Sequence, residues 1–158
     1  MIRHMTGHIL SYVRDITETI YIINPIDESG DAKTELHQCI KSRYPAMFAS
    51  YKLWCRRMKK GINTWPDLQQ IPPFNMDGMY IANFPFENLC NITPDRVEYG
   101  LTRILRDFMP HIPRSFKVIR LPYKMGINDM SDEHWAAISN MLACEFADTQ
   151  IEIWSPAL

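Results

Sequence analysis

The sequence predicts an α/β domain, a three-layer α/β/α sandwich around a mixed, mostly parallel sheet. Three observations lead there. First, Ile20-Tyr21-Ile22-Ile23 is an unbroken run of β-branched and aromatic residues. A strand without polar alternation is buried on both faces, which calls for helices above and below the sheet. Second, further apolar runs at 79–84, 116–121 and 151–154 alternate with stretches of helical spacing, the pattern of stacked strand–helix units. Third, two polar loops with a single glycine each, at 24–33 and 123–130, follow strands. In such sheets ligands bind beyond the carboxyl ends of the strands.

The bulk properties agree. A chain of 158 residues with 46% hydrophobic and 22% charged residues fits a single globular domain over 1–158. A net charge of −1 excludes a global field favouring nucleic acid or membrane. Cys39, Cys55, Cys90 and Cys144 are scattered without metal-ligand or redox spacing, so reduced, mostly buried thiols are expected. No metal and no cofactor are expected. No apolar run is long enough to cross a bilayer and no signal-peptide pattern is present, so a cytoplasmic location and no membrane partner are expected.

In chain order, 1–5 reads as a short edge strand and Gly7-His8-Ile9-Leu10 as a turn into an apolar segment. Residues 19–24 form the buried strand. Helix is expected over 31–42, with Leu36, Cys39, Ile40 and Tyr44 on one face. Pro45 opens a second helix, since proline suits the first helical position. Met47, Phe48, Tyr51, Trp54, Cys55 and Met58 recur along it at helical spacing, and Gly61 ends it. Residues 62–77 form a Pro-rich connection, and Asp77-Gly78 turns into the strand 79–84, paired with a short strand before it.

Thr93-Pro94-Asp95 supplies a hydroxyl cap, a first-position proline and a first-turn acid for a helix through Val97, Leu101, Ile104, Leu105 and Phe108, stopping before Pro110. Residues 116–121 are the third main strand. Ser131-Asp132-Glu133 caps a helix carrying Trp135, Ile138, Met141, Leu142 and Phe146 on its inner face, with Trp135 assigned to the core. Residues 151–154 close the sheet.

Six segments, in order, resemble a macro domain. Gly7-His8-Ile9-Leu10 is similar to the family's Gly-Asp-hydrophobic start, and Ile22-Ile23-Asn24 to its strand ending in Asn. The stretch from Ile40 to Lys52, IKSRYPAMFASYK, resembles a helix of the subgroup that removes ADP-ribose from protein carboxylates and DNA bases. Ile81-Ala82-Asn83-Phe84-Pro85, Arg120-Leu121-Pro122 with its Gly loop and Trp135, and Ile151 to Pro156 resemble the remaining motifs. The resemblance implies a cleft for ADP-ribose or a related NAD-derived nucleotide. It implies as ligand-binding residues His8, Ile9, Asn24, Ser29, Gly30, Asp31, Phe84, Pro85, Phe86, Met125, Gly126, Ile127, Asn128 and Trp154. Asn24 would meet the distal ribose and Trp154 would stack on adenine, against a turn-forming Asn and a core Trp as the plain alternatives.

The departures bear on chemistry. His8 stands where the family has an Asp, and both loops have lost glycines, each of which permits conformations or close approaches that a side chain obstructs. The subgroup's reactive Lys falls on Glu87, which cannot form an imine. Asp129 matches an acid of the family's second loop, so Glu87 and Asp129 are the candidate catalytic pair for glycosidic cleavage, against two loop carboxylates facing water as the plain alternative. Three roles stay open: an ADP-ribosyl hydrolase, a non-catalytic binder of such a ligand or of an ADP-ribosylated macromolecule, and a protein-interaction scaffold. From Lys41 to Lys60 the chain has seven basic residues and no acid. That stretch is either a solvated helix face, with cations favoured near the helix end, or a docking surface for a polyanion. His4 and His8 are not a convincing metal pair, and Ser11, Ser29 and Ser131 lack a His that would make a nucleophile.

Overall fold

The structure, a computed structural model, describes residues 1–11, 18–27, 29–59, 74–76, 79–108 and 116–156. Its centre is the strand β2 (Glu18–Ile26). Ile20, Tyr21, Ile22 and Ile23 are all buried, as a strand covered on both faces requires. β2 pairs in parallel with β4 (Met79–Pro85) on one side and β5 (Phe116–Pro122) on the other. Beyond β5 lie β6 (Gln150–Ser155) and the edge strand β1 (Ile2–Thr6), both parallel. β3 (Phe74–Met76) adds an antiparallel edge beside β4, so the order is β1-β6-β5-β2-β4-β3 in a mixed, mostly parallel sheet.

Strand parity sorts the core into two layers, because alternate side chains point to opposite faces. Tyr21, Ile23, Ala82, Ile119, Leu121, Ile151 and Ile153 meet α3 (Pro94–Arg103) and α4 (Asp132–Glu145) through Val97, Leu101, Trp135, Ile138 and Leu142. On the other face Ile20, Ile22 and Ile81 meet α1 (Glu35–Arg43) and α2 (Pro45–Lys59) through Leu36, Ile40 and Met47. This is the α/β/α sandwich that the sequence predicts.

The helix starts follow their caps. Thr34, Thr93 and Ser131 each accept a hydrogen bond from the backbone N–H three residues on. α1 begins at Glu35 rather than near Asp31, because Thr34 is the cap and the residues before it are held in a loop. α3 passes into a π-type turn over Ile104–Phe108. Cys39 is half-buried and Cys55 buried, but Cys90 and Cys144 are exposed, so only part of the expected thiol burial is found. The expected helix end at Gly61, the connection 62–73, the turn Asp77-Gly78 and Pro110 lie outside the described residues. Among the described residues no helix is long and apolar enough to cross a membrane.

One contact fixes how closely α3 approaches the sheet. A Cβ built on Gly100 would lie 1.8 Å from the Phe84 ring, so the helix packs here only because residue 100 has no side chain. Gly100→Ala is therefore expected to overpack the core and destabilise the fold by about 1–3 kcal/mol, despite alanine's better helix propensity. Urea denaturation measures it; a variant as stable as the parent would mean that Phe84 can move away at no cost.

Candidate functional site

Because β1, β6, β5, β2 and β4 all run parallel, the loops after them emerge on one side of the sheet. A cavity of about 300 Å³ opens there. Its walls are the turn after β1 (Gly7, His8, Ile9), the first turns of α1 (Glu35, Leu36, Cys39), the loop after β5 (Pro122 to Lys124 and Gly126 to Asn128), and Trp154 with Pro156 after β6. The walls are mainly apolar, with His8, Glu35, Lys124 and Asn128 as the polar groups. That combination is usual for small-molecule sites, and the volume is at their lower end.

The floor is organised by Arg120 of β5, which is 2% exposed. Its Nε donates to Glu152 Oε1 at 3.2 Å, and Glu152 is its register partner on β6. Its Nη1 donates to the carbonyls of Ile9 at 2.9 Å and Ser11 at 2.6 Å. The guanidinium also lies over the Trp154 ring, 4.6 Å from its centre, while the indole N–H donates to the same Glu152 oxygen at 3.1 Å. One buried cation therefore ties together the turn after β1, the end of β6 and the tryptophan of the cavity wall.

The loop after β5 is held in a costly conformation. Lys124, Met125 and Gly126 are consecutively left-handed, with φ of 51°, 55° and 75°. For residues with a Cβ this costs roughly 1–2 kcal/mol each. Burial of the Met125 side chain in the α3/α4 core offsets the cost, and Lys124 makes a 2.8 Å ion pair to the exposed Asp132 that adds little. A Cβ on Gly126 would come within 3.4 Å of Thr34, the cap of α1. The loop and the helix start are thus fitted to one another.

Three N–H groups among the described residues of the loop after β2 have partners in the loop or on α2. Ser29 N–H donates to Asp27 Oδ1, Asp31 N–H to Ser29 Oγ, and Gly30 N–H to the Tyr51 hydroxyl, which itself donates to the Asp27 carbonyl at 2.7 Å. Lys33 closes the loop with a 2.7 Å ion pair to Asp27. Burial alone would raise the Asp27 carboxyl, but the hydrogen bonds from Lys33 and Ser29 overcome it and hold the group below its usual value. His37 packs edge-on against Tyr51 and Phe48. Burial pushes its imidazole down to about 4, with Asp27 opposing the shift and Lys41 adding to it.

The sequence-derived site residues divide. His8, Ile9, Gly126, Ile127, Asn128 and Trp154 line the cavity. Met125 shapes the loop from inside the core. Ser29, Gly30 and Asp31 are on the loop after β2 and are not in the lining. Asn24 is buried, donating from Nδ2 to Asn83 Oδ1 at 2.8 Å, with its own Oδ1 unpartnered among the described residues. Phe84 and Phe86 stack on one another within the α3 core, and Pro85 is buried beside them, its carbonyl accepting from Arg96 at 2.5 Å. Glu87 and Asp129 are exposed, and neither is in the lining.

Sequence reasoning missed Arg120 and Glu152, although an arginine deep in one apolar strand and the lone acid of another were a signal for a buried pair. It also missed Glu35 and Lys124. Among the described residues no group of three or more His, Cys, Asp or Glu could hold a metal ion.

No family model matches the chain, and no curated protein matches it. Solved structures do. The macrodomain of Mycobacterium tuberculosis DarG is 22% identical with a TM-score of 0.63, over 98% of this chain and 97% of that one. The macrodomain of Thermus aquaticus DarG is 18% identical with a TM-score of 0.64, over 100% and 99%. Thermosipho africanus DarTG, solved in complex with ADP-ribose, is 12% identical with a TM-score of 0.57, over 86% of this chain and 38% of that one. The fold is that of a macrodomain.

The depressed His37 sets a pH dependence. Its folded-state value, about 4, lies below the ordinary 6.5, so the unfolded chain binds the proton more readily. The stability it contributes is fully present above pH 6.5 and is lost as pH falls toward 4, on the order of 3 kcal/mol in total. His37→Phe, which keeps the ring contacts, is expected to flatten denaturant-derived stability between pH 6.5 and 4; an unchanged slope would remove His37 as its source.

Proposed function

We propose that residues 1–158 form one macrodomain-type module that binds ADP-ribose or a related NAD-derived nucleotide in the cavity described above. The observation that carries the reading is the placement of an apolar cleft, walled by Trp154, at the carboxyl ends of parallel strands in this fold. The complex of Thermosipho africanus DarTG with ADP-ribose supports the choice of ligand.

The walls suggest how the ligand is held. Trp154 is 8% exposed and has Arg120 over its ring, so it would meet a base with the part of the ring that faces the cavity, with Ile9 and Leu36 closing the slot. His8 Nδ1 accepts from Leu10 N–H at 3.2 Å, so the neutral ring carries its proton on Nε2 and acts there as a donor. It would read a ring nitrogen of adenine, an acceptor, whereas an Asp at this place would read the amino group. The phosphates would lie near Lys124 and the first amides of α1, which have no partner within the helix. Glu35 opposes an anion there, and in the loop after β2 the N–H groups of Ser29 and Asp31 are taken by Asp27 and Ser29 and that of Gly30 by Tyr51 of α2. Affinity therefore rests mainly on the nucleoside end.

Hydrolysis of an ADP-ribosyl linkage is a second reading, favoured by the exposed Asp129 carboxylate immediately after the lining residue Asn128. Glu87 is less suited as its partner, since it follows β4 outside the lining. Release of ADP-ribose from a modified protein, lost in Asp129→Ala, would establish it; release unchanged by that substitution would exclude Asp129.

Calorimetry tests the binding reading. ADP-ribose and adenosine are both expected to bind, with affinities within about tenfold of each other. Trp154→Ala should weaken both by about tenfold or more, given the ~1–3 kcal/mol that base stacking on an aromatic contributes, and Trp154→Phe should retain most of the affinity. No heat with either compound at millimolar concentration would overturn the reading and leave the scaffold role.

A further inference from the structure

A second surface stands apart from the cleft. From Leu36 to Lys59 the chain carries no acidic residue, in a protein whose net charge is −1. Lys41, Arg43, Lys52, Arg56 and Arg57 in this stretch are all exposed. The fold gathers them. Lys41, near the end of α1, lies over the Phe48 ring at 4.8 Å, and Lys52 of α2 lies over the same ring at 5.8 Å. Arg56 follows Lys52 by four residues, about one helical turn, on the same stripe of α2. Arg43 flanks the cluster over the Tyr44 ring, and Arg57 is turned about 100° from Arg56. Among the described residues none of the five forms an ion pair. Bringing like charges together without counter-charges raises the energy of the free protein, and an anionic partner relieves it.

We propose that this face, formed by the end of α1 and the outer side of α2, binds the phosphate backbone of a nucleic acid without regard to sequence. The chemistry favours a nucleic acid over a lipid surface. A helix that lies on a membrane needs a broad apolar face to insert. The apolar face of α2, Met47, Phe48, Tyr51 and Cys55, is instead buried against the domain. Its outer side shows Ala46, Ala49 and Ser50 between the cations, with Leu53 as its one large exposed hydrophobic among the described residues. Lys52 and Arg56, one turn or about 6 Å apart along α2, with Lys41 beside them, suit the repeated single charges of a phosphate backbone. Neither Arg56 nor Lys52 lines the cleft, so the proposal is independent of what the cleft binds.

Fluorescence anisotropy with a labelled single-stranded 20-nucleotide DNA provides the test. If about four of these cations meet phosphates, affinity should fall about fifty-fold between 50 and 200 mM salt, since each contact on a single strand contributes ~0.7 to the logarithmic slope. In Lys52→Gln/Arg56→Gln the fall should shrink to about sevenfold and binding at 50 mM salt should weaken at least tenfold. Lys52→Arg/Arg56→Lys, which keeps both charges, should bind within about threefold of the parent. Thermal melting monitors folding of each variant. No binding at 50 mM salt, equal loss in the charge-retaining variant, or an unchanged affinity in the Gln variant would each overturn the proposal. So would preferential binding to phosphatidylserine vesicles or to polyglutamate at the same salt.

Discussion

The arrangement of the cleft depends on one buried cation. Arg120 is fully enclosed, and enclosing a guanidinium costs several kcal/mol unless its donors and charge are met. Glu152 meets the charge from the neighbouring strand, and the carbonyls of Ile9 and Ser11 take further donors. The indole of Trp154 lies against the guanidinium and shares the Glu152 carboxylate. Those two carbonyls belong to the turn after β1, at the edge of the sheet, where burial of Ile9 and Leu10 and the hydrogen bond from Gly7 N–H to the Ser155 carbonyl also order the chain. The same charge thus stabilises the loop's position and sets the tryptophan at the cavity wall.

Two other loops complete the site by opposite means. The loop after β5 is strained, and its left-handed residues are held by burial of Met125, with the pair between Lys124 and Asp132 adding little. In the loop after β2 the amides of Ser29, Gly30 and Asp31 and the Asp27 carbonyl are taken up by Asp27, Ser29 and Tyr51. The first therefore presents an ordered wall to the cavity. The second is bonded internally and to Tyr51 of α2, and engaging a ligand through its backbone would require those bonds to be exchanged. Glu35 at the start of α1 works in the same direction, by placing a negative charge where a helix N-terminus would otherwise welcome an anion.

Much of this was legible in the chain. The unalternated run Ile20 to Ile23 announced a strand covered on both faces, and the caps at Thr93 and Ser131 placed their helices. The wall residues His8, Ile9, Gly126 to Asn128 and Trp154 were found through resemblance. Phe84 and Phe86 were harder. Strand parity turns Phe84 toward α3, and only Gly100, sixteen positions on, reveals how tightly that ring is held. The closure of the loop after β2 was not legible, because it depends on Tyr51 arriving from α2 to accept from Gly30. Arg120 and Glu152 could have been paired from sequence, since each interrupts an apolar strand, but their registration needed the sheet.

The central claim is that the buried pair holds the cleft, and is not merely tolerated by the fold. The most direct measurement combines stability and ADP-ribose affinity in Arg120→Met, Glu152→Met and the double variant. Each single change strands a buried charge or its donors and should cost about 3–5 kcal/mol, whereas the double change should recover much of that stability, as apolar replacement of buried pairs often does. Affinity should not recover with it, because the turn after β1 and Trp154 have lost their tether. A double variant that is stable and binds like the parent would contradict the account.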